Sequence, residues 1–127
     1  MRVQQQKFYV KTEGKIMKIF ISQPMRGLTN EEIAETRKKI EEACKEKFKG
    51  EEIIFVDSFI KETPPSDAKN IPLWYLGMAI TKLAEADHLV GLVNGAETYS
   101  GCIIEKECAR FYGIPCTFFE LDVKRAL

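Results

Sequence analysis

Apolar and polar positions follow two different spacings along this chain, and the two spacings alternate. Short apolar runs, several of them rich in β-branched residues, predict four strands, at 18–22, 52–57, 88–93 and 116–120. Between the runs, apolar residues recur at helical spacing and predict three helices, at 29–48, 73–85 and 101–112. Strands that alternate with helices indicate a parallel sheet with helices on both of its faces.

Several residues mark where the predicted helices begin and end. Thr29 and Glu32 have the spacing of a capping box, in which each side chain bonds the other residue's backbone N–H. Pro72 suits the first turn of a helix because that turn does not need its missing N–H. Gly113 followed by Pro115 is typical of a helix end.

The crossovers between these strands should be right-handed, and the simplest arrangement is a flavodoxin-like, three-layer α/β/α fold. We expect a parallel sheet of about four to five strands in the order 2-1-3-4. Ligands of such sheets bind beyond the carboxyl ends of the strands, at the point where the strand order reverses. The site should therefore be built from the loops that follow Ser22 and Val93, the second of them expected at 94–100.

Composition narrows the classes of protein that remain. The 127 residues suit one domain, and the formal net charge of zero does not favour binding to a nucleic acid polymer or an anionic membrane. The four cysteines form no CxxC pair and there is one histidine, so we expect buried, reduced thiols and no metal. No apolar run approaches the roughly 20 residues of a membrane span. We expect a cytoplasmic protein without a cofactor.

The first 16 residues are polar and poorly patterned. We interpret them as an extension of a single domain at 17–127, with Met17 a candidate for the natural start. The segment 7–11 could add an edge strand to the sheet, or the extension could be disordered.

The first predicted loop reads Ser22-Gln23-Pro24-Met25-Arg26-Gly27 and joins a strand to the start of a helix. Free backbone N–H groups and the positive end of a helix dipole suit an anion at such a place. Gly27 permits close approach of the backbone, and Arg26 can pair with a phosphate or carboxylate. The alternative interpretation is an ordinary turn with an exposed arginine.

The second loop leads into a helix that carries Glu105 in its first turns. We expect Ser100 to cap this helix, which Gly101 opens. The helix dipole should favour the ionised form of Glu105, and an ionised carboxylate in a crevice can attack a sugar carbon. The alternative is a glutamate that only complements the dipole. Glu107, about 200° around the helix, should point elsewhere.

Two further residues are weaker candidates. Asp57 ends the second strand and could reach the crevice, or it could cap the backbone at Ser58. Trp74, at the start of the second helix, could stack on a flat ring, as could the neighbouring Tyr75, although packing in the core is the commoner role of such residues.

At these residues the sequence resembles the nucleoside 2-deoxyribosyltransferase-like superfamily, and most of all its DUF4406 group from bacteria and phages. The resemblance covers about residues 17–120 and is carried by the segments KIFISQPMRG, DSF, LWYLG, AEADHLVGLV and SGCIIEKECARFYGIP. The last segment is the most specific because the superfamily spaces a small residue, a glutamate, an alanine and a glycine as Gly101, Glu105, Ala109 and Gly113 are spaced here.

The resemblance implies an N-glycosidase or deoxyribosyltransferase that acts on a nucleoside or nucleotide. Glu105 matches the catalytic nucleophile, and the first loop matches the one that helps to hold the nucleotide. The implied substrate-binding residues are Ser22, Gln23, Met25, Arg26, Gly27, Trp74, Ser100 and Gly101. Related proteins are homo-oligomers, so the resemblance also implies a homodimer or a larger homo-oligomer.

One position departs from the superfamily's pattern. Its characterised members carry an aspartate that handles the proton of the leaving base, eight residues before the aspartate that opens the third strand. Counting back from Asp87 gives Ala79, which cannot transfer a proton. Asp57 is the candidate substitute. The alternatives are cleavage of a different glycosidic bond, or a non-catalytic nucleotide-binding protein such as a sensor or phage accessory protein.

Overall fold

Four parallel strands form one sheet in the computed structural model, which describes residues 16–57 and 60–122. The strands are β1 (Ile16–Ser22), β2 (Glu52–Phe55), β3 (His88–Leu92) and β4 (Cys116–Phe119). Their order across the sheet is β2-β1-β3-β4, and every neighbouring pair is parallel. The predicted order 2-1-3-4 is therefore confirmed.

The helices cover both faces of the sheet and create two separate cores. They are α1 (Asn30–Lys47), α2 (Ile71–Leu83), α3 (Val93–Thr98) and α4 (Ser100–Phe111). Alternate residues of β1 point to opposite faces. Ile19 packs with Ile40 of α1, whereas Phe20 packs with Leu83 of α2 and Ala109 of α4. The result is the three-layer α/β/α arrangement that the pattern predicts.

The predicted capping signals are present at the helix ends. The Thr29 hydroxyl accepts a bond from the Glu32 N–H, and the Glu32 carboxylate accepts one from the Thr29 N–H. After α4, Gly113 has a φ of 80°, and the Ile114 N–H bonds the Ala109 carbonyl as in a Schellman motif. These local interactions set the two ends regardless of the rest of the fold.

Other element boundaries differ from the prediction by one or two residues. Strand β1 begins at Ile16, which pairs with Glu52, while the other three strands end earlier than expected. Helix α2 begins at Ile71 because the side chain of Asn70 caps it by accepting a bond from the Leu73 N–H at 3.0 Å. The possible edge strand at 7–11 lies outside the described residues.

Two predictions about the second loop are wrong. The segment 94–100 is mostly helical, since α3 occupies Val93–Thr98. Its turn is closed by bonds from the Thr98 hydroxyl and the Tyr99 N–H to carbonyls four residues back. Ser100 does not cap α4 but is its first residue, and the capping position belongs to Tyr99. A helix of only six residues is too short to show a helical spacing of apolar residues in the sequence.

Candidate functional site

A large cleft lies at the C-terminal end of β1, the strand at which the strand order reverses. Its volume is about 610 Å³, which is within the range of small-molecule sites. The first loop, α2 and the start of α4 form its walls. The residues that line it are Phe20, Ile21, Gln23, Pro24, Met25, Arg26, Ile60, Asn70, Pro72, Leu73, Tyr75, Leu76, Ala79, Tyr99, Ser100, Gly101, Cys102, Ile104 and Glu105.

Glu105 is the only carboxylate among the described residues that line this cleft. The hydroxyl of Ser22, at the end of β1, donates a hydrogen bond of 2.6 Å to Glu105 Oε1. Ser22 itself is only 3% exposed and is not among the residues that line the cleft, so it holds the carboxylate rather than facing a ligand. The contact joins residues 83 positions apart and fixes the side chain of Glu105 in one orientation.

Burial controls the protonation of Glu105. Loss of solvent raises its pKa from 4.5 to about 7, and the hydrogen bond from Ser22 opposes that rise only in part. The expectation that the helix dipole would keep the carboxyl readily ionised is therefore wrong, because desolvation is the larger effect. A carboxyl group with this pKa exists in both protonation states near neutral pH, as groups that transfer protons or attack substrates often do.

Two glycines let β3 and α3 pack closely against the end of β1 and the first loop. A Cβ atom on Gly91 would lie 2.9 Å from the Ser22 carbonyl oxygen, and one on Gly95 would lie 2.9 Å from Pro24. Larger residues at either position would push β3 or α3 away from the first loop. The close packing therefore helps to place Ser22 within reach of Glu105.

The first loop is held by backbone and side-chain bonds of its own. Its turn is closed by a bond from the Leu28 N–H to the Met25 carbonyl, and Gly27 has the positive φ of 81° that this turn requires. Gln23 is buried, and its amide nitrogen donates to the Ile33 carbonyl at 3.0 Å. The loop therefore presents Met25 and Arg26 to the cleft from a fixed backbone.

The N-terminus of α4 opens into the same cleft. No side chain caps this helix, and its first three residues, Ser100, Gly101 and Cys102, all line the cleft. Nη2 of Arg26 lies 3.5 Å from the Ser100 hydroxyl, so a guanidinium stands beside the positive end of the helix dipole. This end of the cleft has the chemistry of an anion site.

Not every predicted residue belongs to the cleft. Asp57 is exposed beyond β2, and neither it nor Gly27 is among the residues that line the cleft. Trp74 packs edge-on against Tyr75, with 5.1 Å between ring centroids, and it is Tyr75 that lines the cleft. Ala79 also lines the cleft.

Glu107 bonds Arg110 at 2.6 Å and points away from Glu105, as its helical position predicts.

Sequence reasoning placed Tyr75 correctly as a candidate for stacking but missed Asn70 and Ile104 as residues of the cleft. The available signal was the composition of α2, which is apolar on nearly every side although only Leu83 is fully buried. A helix that is apolar all round and yet partly exposed must cover or line something. Its apolar side chains form much of the cleft wall.

The described residues show no cluster of three or more His, Cys, Asp or Glu side chains that could hold a metal ion. All four cysteines are free, with Cys44 and Cys102 buried and the other two half-buried. Burial raises the pKa of Cys102 to about 11, so its thiol stays protonated at neutral pH. His88 lies at the opposite end of β3, where it bonds Thr117 at 2.8 Å.

Replacing Ser22 by alanine should raise the pKa of Glu105 above about 7, because the carboxylate would lose its hydrogen-bond donor. A bond to a charged group contributes on the order of 1.5–3 kcal/mol, so we expect a rise of about one pH unit or more. NMR titration of isotope-labelled glutamate carboxyl carbons measures this directly. Ser100→Ala is the matched control, since Ser100 contacts Arg26 instead. An unchanged pKa in Ser22→Ala would contradict the coupling.

Fold and site together define a parallel α/β protein with one desolvated carboxylate and an uncapped helix N-terminus in a shared cleft. Among the described helices, none is both long and apolar enough to cross a membrane. Comparison of the chain with protein-family models, curated proteins and solved structures found no match. The assignment of a function therefore depends on the geometry of the cleft.

Proposed function

We propose that the cleft binds a nucleoside or nucleotide and that Glu105 cleaves its N-glycosidic bond. The observation that carries this proposal is the position of Glu105, desolvated and held by Ser22 in the same cleft as the uncapped N-terminus of α4. Ser100 and Glu105 are five residues apart on α4, about 7.5 Å along its axis. A phosphate at the helix end and a sugar beside Glu105 would fit that spacing.

The rest of the cleft suits a flat, weakly polar base. Its wall contains Leu76, Ala79 and Ile104 together with the ring of Tyr75. Such side chains remove a base from water, and the aromatic ring can stack on it. Polar groups are confined to a few places around the cleft, as they are in most small-molecule sites.

In the proposed reaction, Glu105 acts as a nucleophile. Its ionised carboxylate attacks C1′ of the sugar, the bond from C1′ to the base nitrogen breaks, and its electron pair leaves with the base. Water, or a second base, then attacks C1′ and releases the carboxylate. Since only the ionised form of Glu105 can attack, base release should increase as the pH rises through about 7.

The direct test is chromatography of free base after incubation of the protein with deoxynucleosides, deoxynucleotides, ribonucleotides and NAD. Release of a base in proportion to protein, lost in Glu105→Ala, supports the proposal. Azide is a further probe, since a small anion can occupy the space left in Glu105→Ala and form a glycosyl azide. Equal release by the wild type and Glu105→Ala would refute the role of Glu105.

One observation favours a second candidate function, non-catalytic binding of a nucleotide. Ala79 lines the cleft at the position where the superfamily that the chain resembles has its proton-transferring aspartate. A sensor or accessory protein would need the cleft but not that aspartate. Saturable binding by calorimetry, without release of base from any compound, would favour this function over catalysis.

Arg26→Ala should weaken the binding of a nucleoside monophosphate and leave that of the matching nucleoside nearly unchanged. Loss of charge-assisted bonds to a phosphate costs on the order of 1.5–3 kcal/mol, or about 10- to 100-fold in Kd. Titration calorimetry with both ligands measures the difference. Arg110→Ala is the matched control, because Arg110 lies at the far end of α4 and pairs with Glu107. Equal weakening of both ligands by Arg26→Ala would argue against a phosphate at this position.

We also propose that the protein forms a homodimer or larger homo-oligomer. Large apolar side chains around the mouth of the cleft are exposed: Met25 by 50%, Leu73 by 60%, Tyr75 by 39% and Ile104 by 42%. Exposed apolar patches of this kind are common at protein interfaces. Analytical ultracentrifugation of the full chain and of Leu73→Glu, which should dissociate more readily, tests the proposal.

A further inference from the structure

The cleft holds a nucleophile but offers few groups that could protonate a departing base. Of the described residues that line it, only Arg26 and Glu105 carry charged side chains, and none is a histidine, lysine or second carboxylic acid. His88 is at the opposite end of β3. Arg26 stands beside Ser100 at the helix end, where its guanidinium can pair with a phosphate. The substrate should therefore be one whose base can leave without receiving a proton from the protein.

Glycosidic bond cleavage ordinarily uses two carboxyl groups, one for the sugar carbon and one for the leaving group. A single carboxyl cannot serve both purposes in one step, since attack requires its ionised form and proton donation requires its protonated form. A neutral base that departs without a proton would leave as an anion. Loss of such proton transfer typically costs 10²- to 10⁴-fold in rate.

We infer that the substrate of this cleft is a nucleotide whose base carries a positive charge at or next to the glycosidic nitrogen, such as a pyridinium or 7-alkylpurine nucleotide. This inference rests on the proposed function. The electron pair of the C1′–N bond neutralises the base as it leaves, so no acid is needed. Attack by the Glu105 carboxylate forms the bond from C1′ to its oxygen. Water then displaces the carboxylate, and its extra proton passes to solvent.

The remaining groups in the cleft also suit a cationic base. The ionised carboxylate of Glu105 would lie next to the positive charge until the bond breaks. The aromatic rings of Tyr75 and Tyr99 line the same cleft, and ring faces attract cations, more strongly where water is excluded. Arg26, the cleft's only cationic side chain among the described residues, is placed at the phosphate end.

The test compares pairs of substrates that differ in charge and little else. Nicotinamide mononucleotide is paired with its reduced, neutral form. The 7-methylguanine nucleotides, with ribose and with deoxyribose, are paired with the corresponding unmethylated nucleotides. Free base is measured by chromatography with the full-length protein. Glu105→Gln and buffer alone correct for the spontaneous loss of methylated bases.

We expect at least one cationic compound to release its base at least 100-fold faster than its neutral partner, since the described residues that line the cleft include no histidine, lysine or second carboxylic acid. Release from a neutral partner within about tenfold of the cationic rate would overturn this inference and leave the proposed N-glycosidase function intact. No release from any compound, charged or neutral, above the level of Glu105→Gln would overturn both.

Discussion

Glu105→Gln should reduce base release on the order of 10³-fold or more, the scale on which enzymes lose activity with their nucleophile. The amide has nearly the same shape as the carboxyl and can still accept the hydrogen bond from Ser22, which is 2.6 Å long in the native protein. It cannot form a stable ester with C1′, so the chemical step should fail while binding survives. Chromatography of free base and calorimetry of ligand binding on the same samples separate these two effects.

Glu107→Gln is the control for this substitution. Glu107 is on the same helix, two residues away, and its carboxylate pairs with Arg110 outside the cleft. Its replacement should leave base release nearly unchanged. A Glu105→Gln protein that keeps more than about a tenth of the native rate would exclude covalent catalysis by Glu105.

The second large effect concerns the stability of the same variant. In the folded protein the pKa of Glu105 is about 7, above its ordinary value of 4.5, so the folded state binds more protons than the unfolded state between these two pH values. The stability that this group contributes is therefore present below about pH 4.5 and is lost as the pH rises to about 7. Above that pH, burial of the charge should cost the native protein on the order of 3 kcal/mol.

Glu105→Gln removes this cost. We expect its free energy of unfolding to exceed that of the native protein by up to about 3 kcal/mol near pH 8, with a much smaller gain near pH 5. Urea unfolding at both pH values measures the change. Glu107→Gln should show no such gain, because its partly exposed ion pair with Arg110 contributes at most about 1 kcal/mol. A pH-independent difference for Glu105→Gln would mean that the carboxyl is not desolvated.

Taken together, the two measurements distinguish a functional carboxylate from a structural one. A residue that is kept for stability makes the protein less stable when it is replaced. Here the native residue should lower stability at neutral pH and increase reactivity, a trade that proteins commonly make at functional sites. The Ser22 hydroxyl reduces the cost in part, which is why its removal should raise the pKa of Glu105 further.

The sequence was sufficient to predict the features that depend on neighbouring residues and on the spacing of apolar residues along the chain. Apolar runs separated by helical stripes predicted four strands and their order, and the capping box at Thr29 and the glycine end at Gly113 marked two helix ends. The strands and the helix ends are local features because each depends on contacts within a few residues. The strand order then followed from general rules for the handedness of connections.

Short-range pattern was not sufficient for α3 or for the start of α4. The six residues of α3 form fewer than two turns, and this short helix packs against the first loop, where Gly95 lies close to Pro24. Ser100 has the composition of a cap, yet the chain enters α4 one residue earlier at Tyr99. A capping preference of about 1 kcal/mol at one residue can be overridden by such packing.

The features of the site also fall into two groups, those that the sequence determined and those that only the tertiary structure decided. The sequence by itself determined the sheet, the end of the sheet where ligands should bind, the loop that carries Arg26 and the helix that carries Glu105. Only the tertiary structure decided that Ser22 donates to Glu105 across 83 residues, that Tyr75 and Ala79 rather than Trp74 and Asp57 line the cleft, and that the pKa of Glu105 rises to about 7. The physical reason is that solvation and hydrogen bonding of a side chain depend on which distant segments surround it, and this is settled only when the helices pack on the sheet.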